Sequence, residues 1–153
     1  MPDQKLFTAF NFLVEIRVDG ISEQVCEAAF AECDGLEMTM EPKTFQEGGS
    51  NTRQVHLAGP VTYSQLTLKR GMSADFGLWH WFTEVMKTGR RGLRGQASVV
   101  MLAADRSEQV KFTLSDCLPV KLRAPALNAK EGMIAIEELQ LVYAALDIEL
   151  PNG

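Results

Sequence analysis

Several patterns that usually indicate catalysis or metal binding are missing from this sequence of 153 residues. Its three cysteines, Cys26, Cys33 and Cys117, include no CxxC pair, so neither a zinc ribbon nor a disulfide framework is indicated. Only two histidines occur, and HExxH, GxSxG, P-loop and GxGxxG patterns are absent. We therefore expect no catalytic residues, no cofactor and no bound metal.

Long apolar runs are also missing. A transmembrane helix needs ~20 consecutive apolar residues, and no stretch approaches that length. The first residues, MPDQKLFTAFNF, lack the basic start and apolar run of a secretory signal. These absences predict cytoplasmic synthesis and assembly, with no direct membrane insertion by this chain.

Acidic and basic residues separate along the chain, whose net charge is −5. Residues 1–50 hold ten acids and three bases, residues 51–94 two acids and seven bases, and residues 95–153 eight acids and five bases. The acidic total argues against a dedicated nucleic-acid binder. Opposed charge blocks are typical of a subunit that binds its own copies head to tail, although they can also neutralise one another within a monomer.

Period-two alternation of apolar residues predicts a single mainly β domain over residues 1–153, a β-sandwich or barrel with one helix. Phe12–Val18 is the cleanest case, with Val14, Ile16 and Val18 on one face and Glu15 and Arg17 on the other. Turns are expected at Asp19-Gly20, Asp34-Gly35 and residues 105–108. Strands are predicted at residues 12–18, 25–31, 36–40, 54–57, 63–69, 98–103, 110–114 and 134–144.

The helix is predicted at about residues 73–88, with Ser73 as N-cap, Asp75 in the first turn and Lys87 in the last. Its apolar side should contain Leu78, Phe82, Val85 and Met86. Trp79 and Trp81 are two positions apart and diverge on a helix. One of them should lie in the core, and the other should cover a rim or a seam between subunits.

Residues 42–60 have few apolar anchors, and a structureless loop of this length is uncommon in a compact domain. Gly48, Gly49 and Asn51 favour a turn, so the segment is either disordered or a projecting hairpin arm in which Thr44-Phe45 face residues 53–55. An isolated two-stranded arm is marginal in water. A neighbouring subunit would be its natural support.

Three other groups of residues can be interpreted either as purely structural or as functional. His80 and Glu84 have helical i,i+4 spacing, which fits a metal pair but is common on exposed helices. Glu137 and Glu138 should point to opposite faces of a strand, which suggests solvent and interface groups. The run Lys87, Arg90, Arg91 and Arg94 has the density of a phosphate-binding patch but lacks interleaved aromatics, which favours a solvated or partner-facing loop.

A family resemblance covers about residues 7–146. In this order the chain contains FNFLVEI before DGI, CDGLEMTME, FQEGGSNTRQVHLAGPVTY, LTLKRGM before LWHWF, and LPVKLRAPALNA before AIEELQLVY. Together these strings resemble the phage tail tube protein family, which includes the inner-tube subunits of contractile phage tails and extracellular contractile injection systems. The resemblance implies a non-enzymatic subunit whose hexameric rings stack into a hollow tube inside a contractile sheath.

The resemblance also implies partners and site residues. The partners would be copies of the chain itself, the sheath protein, a baseplate or spike hub, a tube-terminating cap, and cargo protein or DNA in the lumen. Pro119, Val120 and Lys121 would lie in the turn region near the C-terminal strands. From charge complementarity, and not from the resemblance, contacts with stacked rings or the sheath are expected at Arg90, Arg91, Arg94 and Lys121. Contacts between subunits are expected at Glu47, Gly48, Gly49, Asn51, Arg53, Gly59, Lys69, Arg70, Trp79 and Trp81.

Alternatives remain at this point. A phage tail or an injection particle agrees with the arm and the LTLKRG string better than a type VI secretion tube does. Finished particles would leave by lysis or remain anchored to a membrane. The main competitor from another class is a monomeric β-barrel that binds a small ligand in an apolar cavity.

Overall fold

The computed structural model describes residues 12–21, 26–46, 48–49, 53–72, 75–88, 93–125 and 135–150. Within them the chain forms twelve strands and one helix. In chain order these are β1 (Phe12–Val18), β2 (Cys26–Ala29), β3 (Glu32–Asp34), β4 (Met38–Met40), β5 (Lys43–Gln46), β6 (Gln54–Leu57), β7 (Val61–Tyr63), β8 (Leu66–Gly71), α1 (Gly77–Thr88), β9 (Gly95–Leu102), β10 (Glu108–Arg123), β11 (Ile136–Val142) and β12 (Ala145–Glu149).

Two antiparallel layers build the body of the protein. The first layer has the strand order β2-β1-β9-β10-β12, and the second has the order β10-β11-β8-β3. The 16-residue strand β10 belongs to both: residues 108–117 pair with β9, and residues 118–123 pair with β11. The prediction of a mainly β, sandwich-like fold with one helix is confirmed.

The core lies between the layers because inward positions alternate with polar ones along each strand. Val14 and Ile16 of the first layer and Leu68 and Leu139 of the second are fully buried in one cluster. Each buried aliphatic side chain of this kind stabilises the fold by about 1.5–3 kcal/mol. The periodicity noted for Phe12–Val18 therefore placed the core face of β1 correctly.

Helix α1 packs its Leu78 and Trp81 into this core, with Val85 partly buried against it. These positions follow helical spacing and form the buried stripe. Met86, predicted to share that stripe, is 66% exposed, and the prediction is wrong. Asp75 precedes the helix instead of lying in its first turn, and its carboxylate accepts a hydrogen bond from the Gly77 amide at 3.1 Å. The proposed N-cap Ser73 lies outside the described residues.

The strand predictions were right where alternation was regular and wrong where it was interrupted. β1 and β6 have the predicted bounds. Strand β10 is much longer than the predicted 110–114, because a register shift between Leu114 and Cys117 and another at Pro119 let it continue. Pro119, Val120 and Lys121 therefore lie in a strand, and their predicted place in a turn region is wrong.

Candidate functional site

Two small two-stranded sheets extend from the body and form the arm. β4 pairs with β7, joining Met38 to Tyr63 and Met40 to Val61. β5 then pairs with β6, joining Phe45 to Val55. Of the two interpretations of residues 42–60, the hairpin is confirmed. Its tip includes exposed Gly48 and Gly49, and the φ of +87° at Gly49 is one that glycine adopts without steric cost.

The outer part of the arm is amphipathic. Alternation from the register places Lys43, Phe45, Val55 and Leu57 on one face, which we call the apolar arm face. Thr44, Gln46, Gln54 and His56 form the opposite, polar face. Phe45 is 49% exposed and Leu57 is 50% exposed. Large apolar side chains held in the open on a thin hairpin indicate an interaction surface.

The inner part of the arm, formed by β4 and β7, also exposes large apolar side chains. Met38, Met40 and Val61 are all substantially exposed and share one face of the β4–β7 sheet. A two-stranded ribbon has little core of its own to offset the cost of ordering. The arm therefore needs a surface that covers these side chains.

The base of the arm depends on a close approach of backbones at Gly59. A Cβ atom added there would lie 1.8 Å from the carbonyl oxygen of Glu41. On the same stretch, the Glu41 amide donates a hydrogen bond to the Pro60 carbonyl at 3.1 Å. Gly59 is thus required by packing at the arm's root.

Tyr143 ties the arm to the body. Its hydroxyl donates to the Gly35 carbonyl at 2.7 Å and accepts a longer hydrogen bond from the Glu37 amide, directly before β4. Its ring contacts that of Tyr63 on β7, with centroids 5.3 Å apart. Burial raises the pKa of the Tyr143 phenol above its ordinary value, so the group stays protonated and able to donate at physiological pH.

Replacing Tyr143 with Phe should therefore loosen the arm's root without removing the ring contact. We expect the free energy of unfolding to fall by about 1 kcal/mol, the usual net value of one hydrogen bond. Amide exchange at Glu37 should become faster. Tyr63→Phe is the control, since its hydroxyl makes no hydrogen bond among the described residues. Equal urea midpoints for both variants would contradict the assigned role.

A buried ionic network joins α1 to the second layer. The Arg70 guanidinium on β8 donates to the Glu137 carboxylate on β11, and both side chains are almost fully buried. The second Glu137 oxygen accepts from Trp79 Nε1 at 3.0 Å. Arg70 also lies 3.7 Å from the Asp75 carboxylate before the helix and stacks over the Phe30 ring. The prediction that Glu137 is a solvent or interface group is wrong, because Arg70 and Trp79 compensate its burial.

The predicted contact residues divide into separate groups. Gly48, Gly49 and Arg53 are exposed on the arm, and Arg94 and Lys121 are exposed on the body. Arg70 and Trp81 are instead buried within the chain, where Trp81 donates to the Leu93 carbonyl at 2.8 Å. Trp79 is half-buried, so Trp81 is the core tryptophan and Trp79 covers the rim. Glu47, Asn51, Arg90 and Arg91 lie outside the described residues.

The outer face of the second layer carries a row of alternating charges. Glu32, Lys69, Glu138 and Arg123 occupy successive partner positions on β3, β8, β11 and β10. Lys69 forms an exposed ion pair with Glu32 at 3.4 Å. Lys69 was predicted from the LTLKRG string as a contact residue, and the structure places it in this row. The row offers a polar surface with both signs of charge interspersed.

Sequence reasoning missed the apolar arm face, although Phe45 was placed on the arm. The signal was present: KTFQ and QVHL both alternate polar and apolar residues. Among the described residues, no group of three or more His, Cys, Asp or Glu side chains is arranged to hold a metal ion. No described helix has the length and apolar character needed to cross a membrane.

An antiparallel two-layer body with a hairpin that exposes one apolar face is typical of a β-structured assembly subunit. Residues 8–147 match the family described as T4-like virus tail tube protein gp19, and the chain belongs to this family. No curated protein matches the sequence.

Solved structures agree with the family assignment. A chain of the anti-feeding prophage (AFP) baseplate, 6-fold symmetrised, is 26% identical, with 96% of this chain and 97% of that chain covered and a TM-score of 0.82. A chain of the PVC extracellular contractile injection system sheath-tube complex is 16% identical, with coverages of 95% and 93% and a TM-score of 0.79. Hcp1 from Salmonella typhimurium shares the fold at 18% identity, with coverages of 92% and 87% and a TM-score of 0.54.

Proposed function

We propose that this chain is the inner-tube subunit of a contractile injection particle or phage tail, and that its hexameric rings stack into a hollow tube. The observation that carries the proposal is the exposed apolar arm face, with Phe45 and Leu57 about half exposed. A subunit that offers such an arm to a different surface of its neighbour makes a heterologous contact. Heterologous contacts close into rings when the rotation per subunit fits.

Sixfold closure is supported by the relative from the AFP baseplate, whose structure is described as 6-fold symmetrised. Further relatives come from a sheath-tube complex in the extended state and from a tube-terminating cap. We propose the corresponding partners for this chain: copies of itself, a contractile sheath protein, a baseplate or spike hub, and a cap. The chain would assemble in the cytoplasm and then become part of the particle.

The proposed contacts between subunits combine the arm with the body. Gly48, Gly49 and Arg53 lie at or near its tip, while Gly59 shapes its root. Trp79 lies on α1 and Lys69 lies on the outer face of the second layer. Arg70 and Trp81 are buried within the chain, so they are not proposed as contacts. Contacts with stacked rings or the sheath are proposed for Arg94 and Lys121, together with Arg90 and Arg91 of the same basic run.

A polar wall suits a lumen through which cargo slides, because an apolar wall would adhere to it. The charge row of Glu32, Lys69, Glu138 and Arg123 has this character. So does the outer face of the first layer, where a groove is lined by Glu15, Arg17, Asp19, Gln96 and Ser98. Either face can serve protein cargo, whereas passage of DNA favours a negative wall.

A monomeric ligand-binding barrel is less well supported. The apolar pocket between the layers, lined in part by Phe12 and Phe112, has a volume of about 110 Å³. Sites for small molecules usually measure roughly 300–1,000 Å³. An exposed apolar arm is also not a feature that a monomeric binder requires.

The test is electron microscopy of the purified wild-type chain at high concentration, with sedimentation velocity on the same sample. We expect rings with sixfold symmetry and stacked tubes with a central channel. The alternative function predicts a single species of about 17 kDa, the mass of one chain. A chain that stays monomeric at every concentration, and also with its sheath protein, would contradict the proposal.

A further inference from the structure

An apolar pocket opens at one end of the body, between the two layers. Its volume is about 110 Å³. Val99, Met101 and Phe112 contribute from the first layer, and Cys33 and Leu36 contribute from the second layer and the segment that follows it. Ile148, the β12 partner of Phe112, is 63% exposed and extends the apolar surface toward this end. The pocket is lined by Phe12, Cys33, Leu36, Val99, Met101 and Phe112.

We infer that this pocket receives the apolar arm face of a neighbouring copy of the chain, with the Phe45 ring as the anchor. The inference rests on the proposed function and names the surface that the arm contacts. The proposed occupant is a second copy of the chain, because the chain itself has an exposed apolar hairpin face that packs against no core of its own. Phe45, Val55 and Leu57 form that face, and the pocket is a surface of matching chemistry.

Size agrees with this assignment. An apolar cavity of roughly 150 Å³ accepts a benzene ring. An open pocket of about 110 Å³ therefore suits the tip of one aromatic side chain and is too small for a larger ligand. Phe45 is the aromatic residue of β5 and β6, and half of its surface is exposed. An aromatic anchor in an apolar pocket, surrounded by polar rim contacts, is a common arrangement at interfaces.

Charge agrees as well. Lys43 lies two residues before Phe45 on the same arm face, and Arg53 lies two residues before Val55; both are exposed. Glu37 directly follows the pocket residue Leu36, and its side chain is exposed. Opposite charges on the basic arm and on Glu37 favour one orientation of the contact. The same opposition appears in the acidic first third and basic middle of the sequence.

The contact has a direct test because Cys33 already lines the pocket. A donor chain carrying Phe45→Cys and Cys33→Ser is mixed as the minor component with wild-type chain during assembly, and the mixture is oxidised with copper phenanthroline. Burial raises the pKa of the Cys33 thiol to about 12, so the introduced exposed thiol supplies the thiolate. We expect a covalent dimer on a non-reducing gel, with the disulfide between positions 45 and 33 identified by mass spectrometry.

Matched controls define the outcome. The donor alone should give no 45–33 disulfide by mass spectrometry, because it lacks Cys33. A second donor with Thr44→Cys and Cys33→Ser, mixed with wild type, places the thiol on the polar arm face and should give no 44–33 disulfide. Phe45→Cys with Cys33 retained should give a ladder that ends at the closed ring. Tubes that contain the donor chain but yield no 45–33 disulfide would overturn the pocket assignment and leave the proposed function intact. Failure of wild type to assemble would overturn both.

Discussion

Replacing Glu137 with alanine should lower the free energy of unfolding by about 3–5 kcal/mol, the usual cost of removing one member of a buried ion pair. The Arg70 guanidinium would remain buried without its Glu137 counter-charge, and Trp79 would lose the acceptor of its indole N–H. Urea unfolding of the wild type and the variant, followed by circular dichroism, measures the change as a shift in midpoint.

Two variants separate this effect from a general loss of charge. Glu138→Ala removes the next residue, whose side chain points to the outer face, and exposed ion pairs contribute about 0–1 kcal/mol. Arg70→Met combined with Glu137→Met removes both buried charges and should recover much of the loss, since no charge then remains buried at this position. A Glu137→Ala midpoint no lower than that of Glu138→Ala would contradict the assigned role of the network.

Replacing Gly59 with alanine should abolish tube formation while leaving the body folded. The added Cβ would lie 1.8 Å from the Glu41 carbonyl oxygen, which belongs to the backbone and cannot rotate away. The two sides of the arm's root must then separate, and the arm face is no longer presented at its native angle. Because Gly59 lies outside the core, we expect the urea midpoint to correspond to a loss of less than about 1 kcal/mol.

The matched control is Gly71→Ala at the end of β8. A Cβ there would meet only the Ala135 carbonyl oxygen at 4.0 Å, an ordinary contact distance. That variant should form tubes like wild type. Electron microscopy and sedimentation of both variants at equal concentration make the comparison. Normal tubes from Gly59→Ala would show that the arm's root tolerates a wider spacing and that its geometry does not limit assembly.

Local sequence predicted correctly the strands that bury one face and expose the other to solvent. β1 is the clearest case, since a shift of one residue would expose Val14 and Ile16. The arm followed from its turn residues and its lack of core anchors. Asp75 and Met86 show the weaker side of this reasoning, because helix ends and the edges of an apolar stripe depend on tertiary packing.

The site was harder to predict because its elements are distant in sequence. Arg70 and Glu137 are separated by 67 positions and carry opposite charges, yet nothing local distinguishes Glu137 from Glu138 beyond the face of the strand. The pocket likewise combines residues from Phe12 to Phe112. Local periodicity assigns a face to each residue, but only the pairing of strands shows which faces meet.

The long strand β10 has a mechanical consequence. Because one continuous backbone is hydrogen-bonded into both layers, sliding one layer past the other would break hydrogen bonds along β10 itself. A force that shears the layers is therefore shared by many backbone hydrogen bonds at once, and these bonds do not break one after another. Subunits built in this way would behave as stiff blocks under axial thrust, and the compliance of the assembled column would lie at the joints between blocks.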